Sequence, residues 1–104
     1  MLKENYQLPI DAVNGQRQTC LHISISLGHF SLSYIIIAIG CDLDIQDTNG
    51  KTALHMAASQ EKRKVVKYLM LKGANKDLPD QDGYLPIDLA CNNPDIIKLL
   101  VKVT

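Results

Sequence analysis

Two short segments, Thr19-Cys20-Leu21-His22 and Thr52-Ala53-Leu54-His55, stand 33 residues apart, and a worn third copy, Leu85-Pro86-Ile87-Asp88, follows after the same interval. The register around them holds without gaps. Asp11, Asp44 and Asp77 align, as do Ala12, Ile45 and Leu78, then Asn14, Asp47 and Asp80; Gly40 aligns with Gly73, and Gly50 with Gly83. A fixed period of this length constrains the fold more than any other feature, because it calls for one supersecondary unit stacked on copies of itself rather than a single mixed core.

Each unit reads as turn, helix, turn, helix, loop. In the second, Asp47-Thr48-Asn49-Gly50 is a turn, with Gly50 free to take positive φ. Thr52 is placed to cap a first helix, and Ala53, Leu54, Ala57 and Ala58 make that helix thin on its inner side, so that neighbouring helices approach closely. A second helix is expected over residues 63–72, with Val65, Val66, Tyr68, Leu69 and Met70 inward and Lys62, Lys64, Lys67 and Lys72 outward, stopped by Gly73. The third unit is expected to run the same way from Asp80-Gln81-Asp82-Gly83, two residues short between Cys91 and Ile96, with Pro94 in the first turn of its second helix. In the first unit Arg17 stands where Gly50 and Gly83 stand. A non-glycine residue pays a penalty at positive φ, so this turn is expected to differ from the other two.

The pattern resembles that of ankyrin repeats, over about residues 8–104. The resemblance implies an all-α solenoid of helix-turn-helix units joined by β-hairpin-like loops, in a single domain spanning residues 1–104. Its parts are an amino-terminal segment and first turn over about 1–18, repeat one over 19–51, repeat two over 52–84 and a shortened repeat three over 85–104. It also implies that His22 and His55 are structural, tying helix ends and loops together with the threonines three residues before them, and that His29, in a Gly-His turn, is structural too. Asp in place of the third histidine is common in terminal repeats of the family, which sets an expected carboxy-terminal end near Thr104.

Composition adds limits. Apolar residues at 46% and charged residues at 21% describe an ordinary globular chain, and a formal net charge of zero gives no global pull toward nucleic acid or anionic membrane. Residues 44–76 carry seven Lys/Arg against three Asp/Glu, and residues 77–104 two against five, so the array has a basic middle and an acidic end. Cys20, Cys41 and Cys91 show no CxxC spacing and each replaces a small residue, which predicts buried free thiols and a reducing compartment, cytosol or nucleus. Residues 1–18 contain charges and no apolar signal core, and the uncharged stretch 18–41 is broken by Ser24, Ser26, Gly28, His29, Ser31 and Ser33, so no membrane span is expected.

The second helix of repeat one, expected over residues 32–39, is apolar on nearly every face, whereas an end repeat of a solenoid normally shows water a polar one. Either residues 1–10 fold back over it with Tyr6, Leu8 and Ile10, or a preceding repeat or a partner covers it and the chain is a fragment or half of a complex. Three units are near the minimum for stability, so modest stability, or reliance on a partner over 32–39, is expected.

No catalytic residue, cofactor or metal ligand is identified: no Ser-His-Asp or Cys-His grouping has a supporting context, and no GxxxxGK loop appears. The chain is therefore not expected to be an enzyme. The run Glu61-Lys62-Arg63-Lys64 with Lys67 reads as a solvated convex face, although cations at a helix start oppose its dipole; nucleic-acid binding is not favoured, for want of aromatic stacking residues. The family resemblance implies binding of another protein, of unspecified identity, in a concave groove formed by loop tips and the exposed side of the first helices. In this chain that surface carries Gln16 and Gln18, then Thr48, Asn49 and Lys51, then Gln81, Asp82 and Tyr84, with Ser26 and Leu27, Ser59 and Gln60, and Asn92 and Asn93 along the helices. Tyr84 is the best single anchor, offering large contact area at low entropic cost. The implied role is scaffold, adaptor or inhibitor, one specific form being an inhibitor of Rel-type transcription factors. The alternatives are a small-ligand or polyanion sensor using Lys51 and Lys72, and an assembly piece that pairs with itself or another array through residues 32–39.

Overall fold

Thr19 and Thr52 lie in extended backbone immediately before helices α1 (Cys20–Ser26) and α3 (Ala53–Ser59) of the computed structural model, which describes residues 10–90 and 92–101. Each threonine hydroxyl accepts from the backbone N–H of His22 or His55 at 3.3 Å, and each imidazole Nδ1 accepts in return from the threonine N–H at 3.1 Å. One Thr–His pair thus satisfies two of the donors that a helix start leaves without partners.

Both helices end on a left-handed residue, Gly28 at φ 79° and Glu61 at φ 58°. Around it two bonds close the helix end: Gly28 N–H to Ile25 O with His29 N–H to Ser24 O, and Glu61 N–H to Ala58 O with Lys62 N–H to Ala57 O. The chain then turns into α2 (Phe30–Ile39) and α4 (Arg63–Leu71). Helix α2 starts two residues before the expected position, and its cap residue His29 contributes a backbone carbonyl to Ser33 N–H rather than a ring bond. Helix α4 stops at Gly73, left-handed at φ 91°, as its sequence implies.

The third unit departs from expectation. Its first helix is a single 3-10 turn, Pro86–Leu89, before α5 (Pro94–Leu100). Pro86 brings no N–H, Asp88 Oδ2 takes the Leu85 N–H at 2.9 Å, and the two-residue deletion leaves Asn92, at φ 63°, and Asn93 to make the turn. Shortening favours the tighter i→i+3 pattern.

Arg17 also corrects the sequence reading. It takes φ 58° and its N–H reaches Asn14 O at 2.9 Å, just as Gly50 N–H reaches Asp47 O at 2.8 Å and Gly83 N–H reaches Asp80 O at 2.9 Å. The first turn therefore adopts the same shape as the others and carries the strain of a side chain in the left-handed region. Arg17→Gly should raise stability by about 0.5–1 kcal/mol in a urea melt, the relief of that strain exceeding the extra chain entropy of glycine; an unchanged or lower midpoint would show that the turn bears no strain.

First helices stack on first helices and second on second, α1 against α3 against the 3-10 turn, and α2 against α4 against α5. Leu54, Ala57, Ala58, Val66, Leu69 and Ile96 are fully buried between them. In the first unit the places of Ala57 and Val66 are held by Ser24 and Ser33, whose buried hydroxyls meet at 2.7 Å and bond also to Leu21 O and His29 O. Cys41 is buried, and burial raises its thiol pKa to about 11. Cys20, expected to be buried, is exposed, its Sγ 3.6 Å from Ile10 O; Cys91 lies outside the described residues. Of the residues suggested to cover α2, Ile10 packs partly on the core, and Tyr6 and Leu8 lie outside the described residues. No strand occurs among the described residues.

Candidate protein-interaction surface

Each loop tip is built by one side-chain carboxylate or amide. Asn14 Oδ1 accepts from the N–H groups of Gln16 (2.9 Å) and Gln18 (3.0 Å), Asp47 Oδ1 from Asn49 (2.8 Å) and Lys51 (2.9 Å), and Asp80 Oδ1 from Asp82 (2.9 Å) and Tyr84 (2.9 Å). A backbone pair closes each hairpin: Asn14 N–H to Gln18 O, Asp47 N–H to Lys51 O, and Asp80 N–H to Tyr84 O. The tips are then joined in a row, Thr48 N–H donating to Gln16 O at 3.0 Å and Gln81 N–H to Asn49 O at 2.8 Å.

The histidines fix the tips to the helices. His22 Nε2 lies 2.9 Å from Lys51 O, and His55 Nε2 lies 2.8 Å from Tyr84 O. A carbonyl only accepts, so Nε2 carries the hydrogen and Nδ1 keeps the lone pair that faces the threonine. Each imidazole is thereby neutral and spans three elements: its own helix cap, its own helix, and the tip of the next unit. Burial lowers the pKa of His55, which favours that neutral state.

Two further ties between units were not apparent from the sequence. The Gln46 amide donates to both Gly50 O and Pro79 O at 2.9 Å, and Lys51 Nζ pairs with Asp80 Oδ2 at 2.8 Å. The Lys51 hydrogen bond holds the Asp80 carboxyl down at about 2. Only the fold brings these partners together, since Lys51 and Asp80 are 29 residues apart.

The recognition residues expected from the sequence fall into two groups. Gln16, Thr48, Asn49, Gln81, Asp82 and Tyr84 are exposed on the tips, and Ser26, Leu27, Ser59 and Asn92 are exposed at helix ends. Tyr84 is 51% and Leu27 64% exposed. Gln18, Lys51, Gln60 and Asn93 are half-buried. Lys51 is occupied by Asp80, Gln18 accepts from the Asn14 amide, and Asn93 caps α5 while its amide reaches Glu61 Oε1 at 3.2 Å. Of the two lysines suggested as anion contacts, Lys51 is paired with Asp80 and the Lys72 ammonium lies 5.5 Å from the centre of the Tyr68 ring. In the basic run, Lys62 sits 5.5 Å over the Phe30 ring. Among the described residues no three His, Cys, Asp or Glu side chains converge as metal ligands, and no helix is long and apolar enough to cross a membrane.

The family model described as ankyrin repeats in three copies matches residues 21–104. The chain belongs to the ankyrin repeat family. Ankyrin repeats are non-catalytic modules of protein–protein interaction, and this array is one of them. Its relatives include a zebrafish (Danio rerio) protein described as putative palmitoyltransferase ZDHHC13, 34% identical across 89% of this chain and 15% of its own length. A mouse (Mus musculus) ankyrin repeat and SAM domain-containing protein 6 is 34% identical across 90% of this chain and 11% of its own length. Mouse protein phosphatase 1 regulatory subunit 27 is 29% identical across 90% of this chain and 60% of its own length. The array thus spans less than two thirds of each of these curated relatives.

Proposed function

We propose that the array is a scaffold, adaptor or inhibitor module whose partner protein lies across the row of loop tips and the adjoining ends of the first helices, with Tyr84 as its anchor. The observation that carries this reading is a division of labour at the tips. Their backbones are tied by Asn14, Asp47, Asp80 and by each other, while the side chains of Gln16, Thr48, Asn49, Gln81, Asp82 and Tyr84 are exposed and make no hydrogen bond among the described residues. A rigid frame with unspent side chains loses little entropy on binding. A polyanion sensor is less well supported, because Lys51 is neutralised by Asp80. A relative from chicken (Gallus gallus), the nuclear factor NF-kappa-B p105 subunit, is 34% identical across 78% of this chain, no nearer than the relatives of other description, so inhibition of Rel-type factors is one form of this proposal and not a favoured one. We place the activity in the cytosol or nucleus, where the exposed Cys20 stays reduced.

Affinity capture from cell lysate should compare the parent chain with Gln16→Ala/Asn49→Ala/Tyr84→Ala. Lys51 is left intact, since removing it would strand Asp80. The expected result is a protein retained by the parent and reduced at least about 30-fold by the variant, the loss typical of an anchor residue, at an unchanged urea midpoint. Equal retention by both would remove the tips as the site.

A further inference from the structure

Two lysines of the array have a carboxylate partner: Lys51 pairs with Asp80 at 2.8 Å and Lys76 with Asp77 at 3.2 Å. On the outer side of the second helices the balance differs. Lys62, Arg63, Lys64, Lys67 and Lys98 are exposed, and none of them forms an ion pair among the described residues. Glu61, which precedes the run, accepts instead from the Asn93 amide at 3.2 Å. These cations border two depressions. One, of about 370 Å³, lies between the first turns of α2 and α4, where Phe30 and Tyr34 line it together with Lys62, Arg63 and Lys64. The other, of about 230 Å³, lies between α4 and α5 and is lined by Arg63, Lys67, Asp95, Lys98 and Leu99. Arg63 belongs to both, so the two form one open track across α4, basic along its edges, with half-buried Phe30, Tyr34 and Leu99 as its apolar lining.

Charge complementarity calls for an anionic occupant, and three features favour an acidic stretch of protein over a nucleic acid. The apolar lining takes apolar side chains set among the carboxylates, which a phosphate backbone does not offer. The rings are poorly placed for stacking bases: the Lys62 ammonium lies over Phe30, 5.5 Å from its centre, and Tyr34 meets Tyr68 edge-on at 5.2 Å. A strand running on past the track would also meet the acidic end of the array, where residues 77–104 carry two Lys/Arg against five Asp/Glu. The formal net charge of zero supplies no long-range attraction to offset that repulsion. A short acidic segment confined to the track avoids it. Arg63, shared by both depressions, is its natural anchor, because a guanidinium takes a carboxylate through two parallel N–H bonds.

We infer that this track, centred on Arg63, docks a short acidic segment of another protein in which apolar side chains are interspersed with Asp or Glu. It uses the second helices rather than the tips, and stands or falls independently of the tip surface.

Fluorescence anisotropy of a short labelled peptide of Glu and Leu, titrated with the full chain, should show binding that weakens as salt rises. In Arg63→Glu/Lys67→Glu the dissociation constant should rise at least about 10-fold, because the peptide carboxylates then face like charges. Both side chains are exposed and unpaired among the described residues, so this variant should keep its helical circular dichroism and its urea midpoint. Lys72→Glu/Lys76→Glu changes the net charge equally at positions that do not line the track, and should bind as the parent does. The same peptide with Gln in place of Glu should not bind. No binding of the acidic peptide at low salt would overturn the inference, as would equal weakening by both double variants or equal binding of the Gln peptide. Tighter binding of an oligothymidylate of the same charge would overturn it too, by making the track a nucleic-acid face.

Discussion

Replacing His55 with alanine should cost the array about 4 kcal/mol, a large share of the roughly 5–15 kcal/mol that holds a domain of this size together. The side chain is fully buried, so its removal opens a cavity. It also strips the buried Thr52 N–H of its acceptor, removes half of a capping box and cuts the bond to Tyr84 O. His29→Ala serves as the control, because that ring is exposed and makes no capping bond; its urea midpoint should barely move. A His55→Ala midpoint equal to that of His29→Ala would disprove the structural role. The same residue sets a pH dependence. Burial lowers the pKa of His55 from its ordinary 6.5, so below about that pH the unfolded chain takes up a proton that the folded chain refuses. Stability should be full above pH 6.5 and decline as pH falls from there, and His55→Ala should flatten that part of the profile. Asp80 acts lower down: its carboxyl, lowered from 3.8 to about 2, contributes stability that is present above 3.8 and lost as pH falls toward 2.

Gly50→Ala should be far more damaging than Gly83→Ala, although both glycines are left-handed, at φ 78° and 87°. At Gly83 a new Cβ would meet open space, and only the conformational cost applies, about 1 kcal/mol. At Gly50 it would lie 2.5 Å from the Gln81 nitrogen and 2.9 Å from the Asp80 carbonyl carbon, both backbone atoms that cannot rotate away. The third tip would have to move, disturbing Gln81 N–H to Asn49 O, Lys51 to Asp80 and His55 to Tyr84 O together. The expected cost is at least about 3 kcal/mol, with the third unit uncoupled from the second. Urea melts followed by hydrogen exchange would show this as early exchange in residues 94–100; matched midpoints for the two variants would mean that the tips do not touch as described.

The sequence carried the period, the Thr–His caps, the Gly73 stop and the place of Pro94, because each is a local or strictly repeating signal. It was misleading at Arg17, where the Asn14 side chain and the one neighbouring tip, through Thr48 N–H to Gln16 O, hold a turn that the residue itself disfavours. The left-handed Glu61 gave no warning, since its backbone is set by the two bonds that close α3. The third first helix was overestimated because a deletion five residues downstream of Pro86 limits how many residues remain to wind. Cys20 fails for another reason: in a stack, burial belongs to the neighbour as much as to the residue. On the candidate surface, exposure of the tip residues followed from their register, but the capture of Lys51 by Asp80 and of Asn93 by Glu61 depends on contacts across units, which spacing along one chain does not reveal.

The tip bonds have a consequence for how such an array changes over time. Asn14, Asp47 and Asp80 hold their hairpins by gripping backbone N–H groups, and the tips join one another through backbone alone. The side chains at 16, 48, 49, 81 and 82 are left out of that arrangement. Mutations there can drift through many residue types without toll on folding, so a lineage can trade one binding partner for another while its scaffold stays put, vocabulary changing under a fixed grammar.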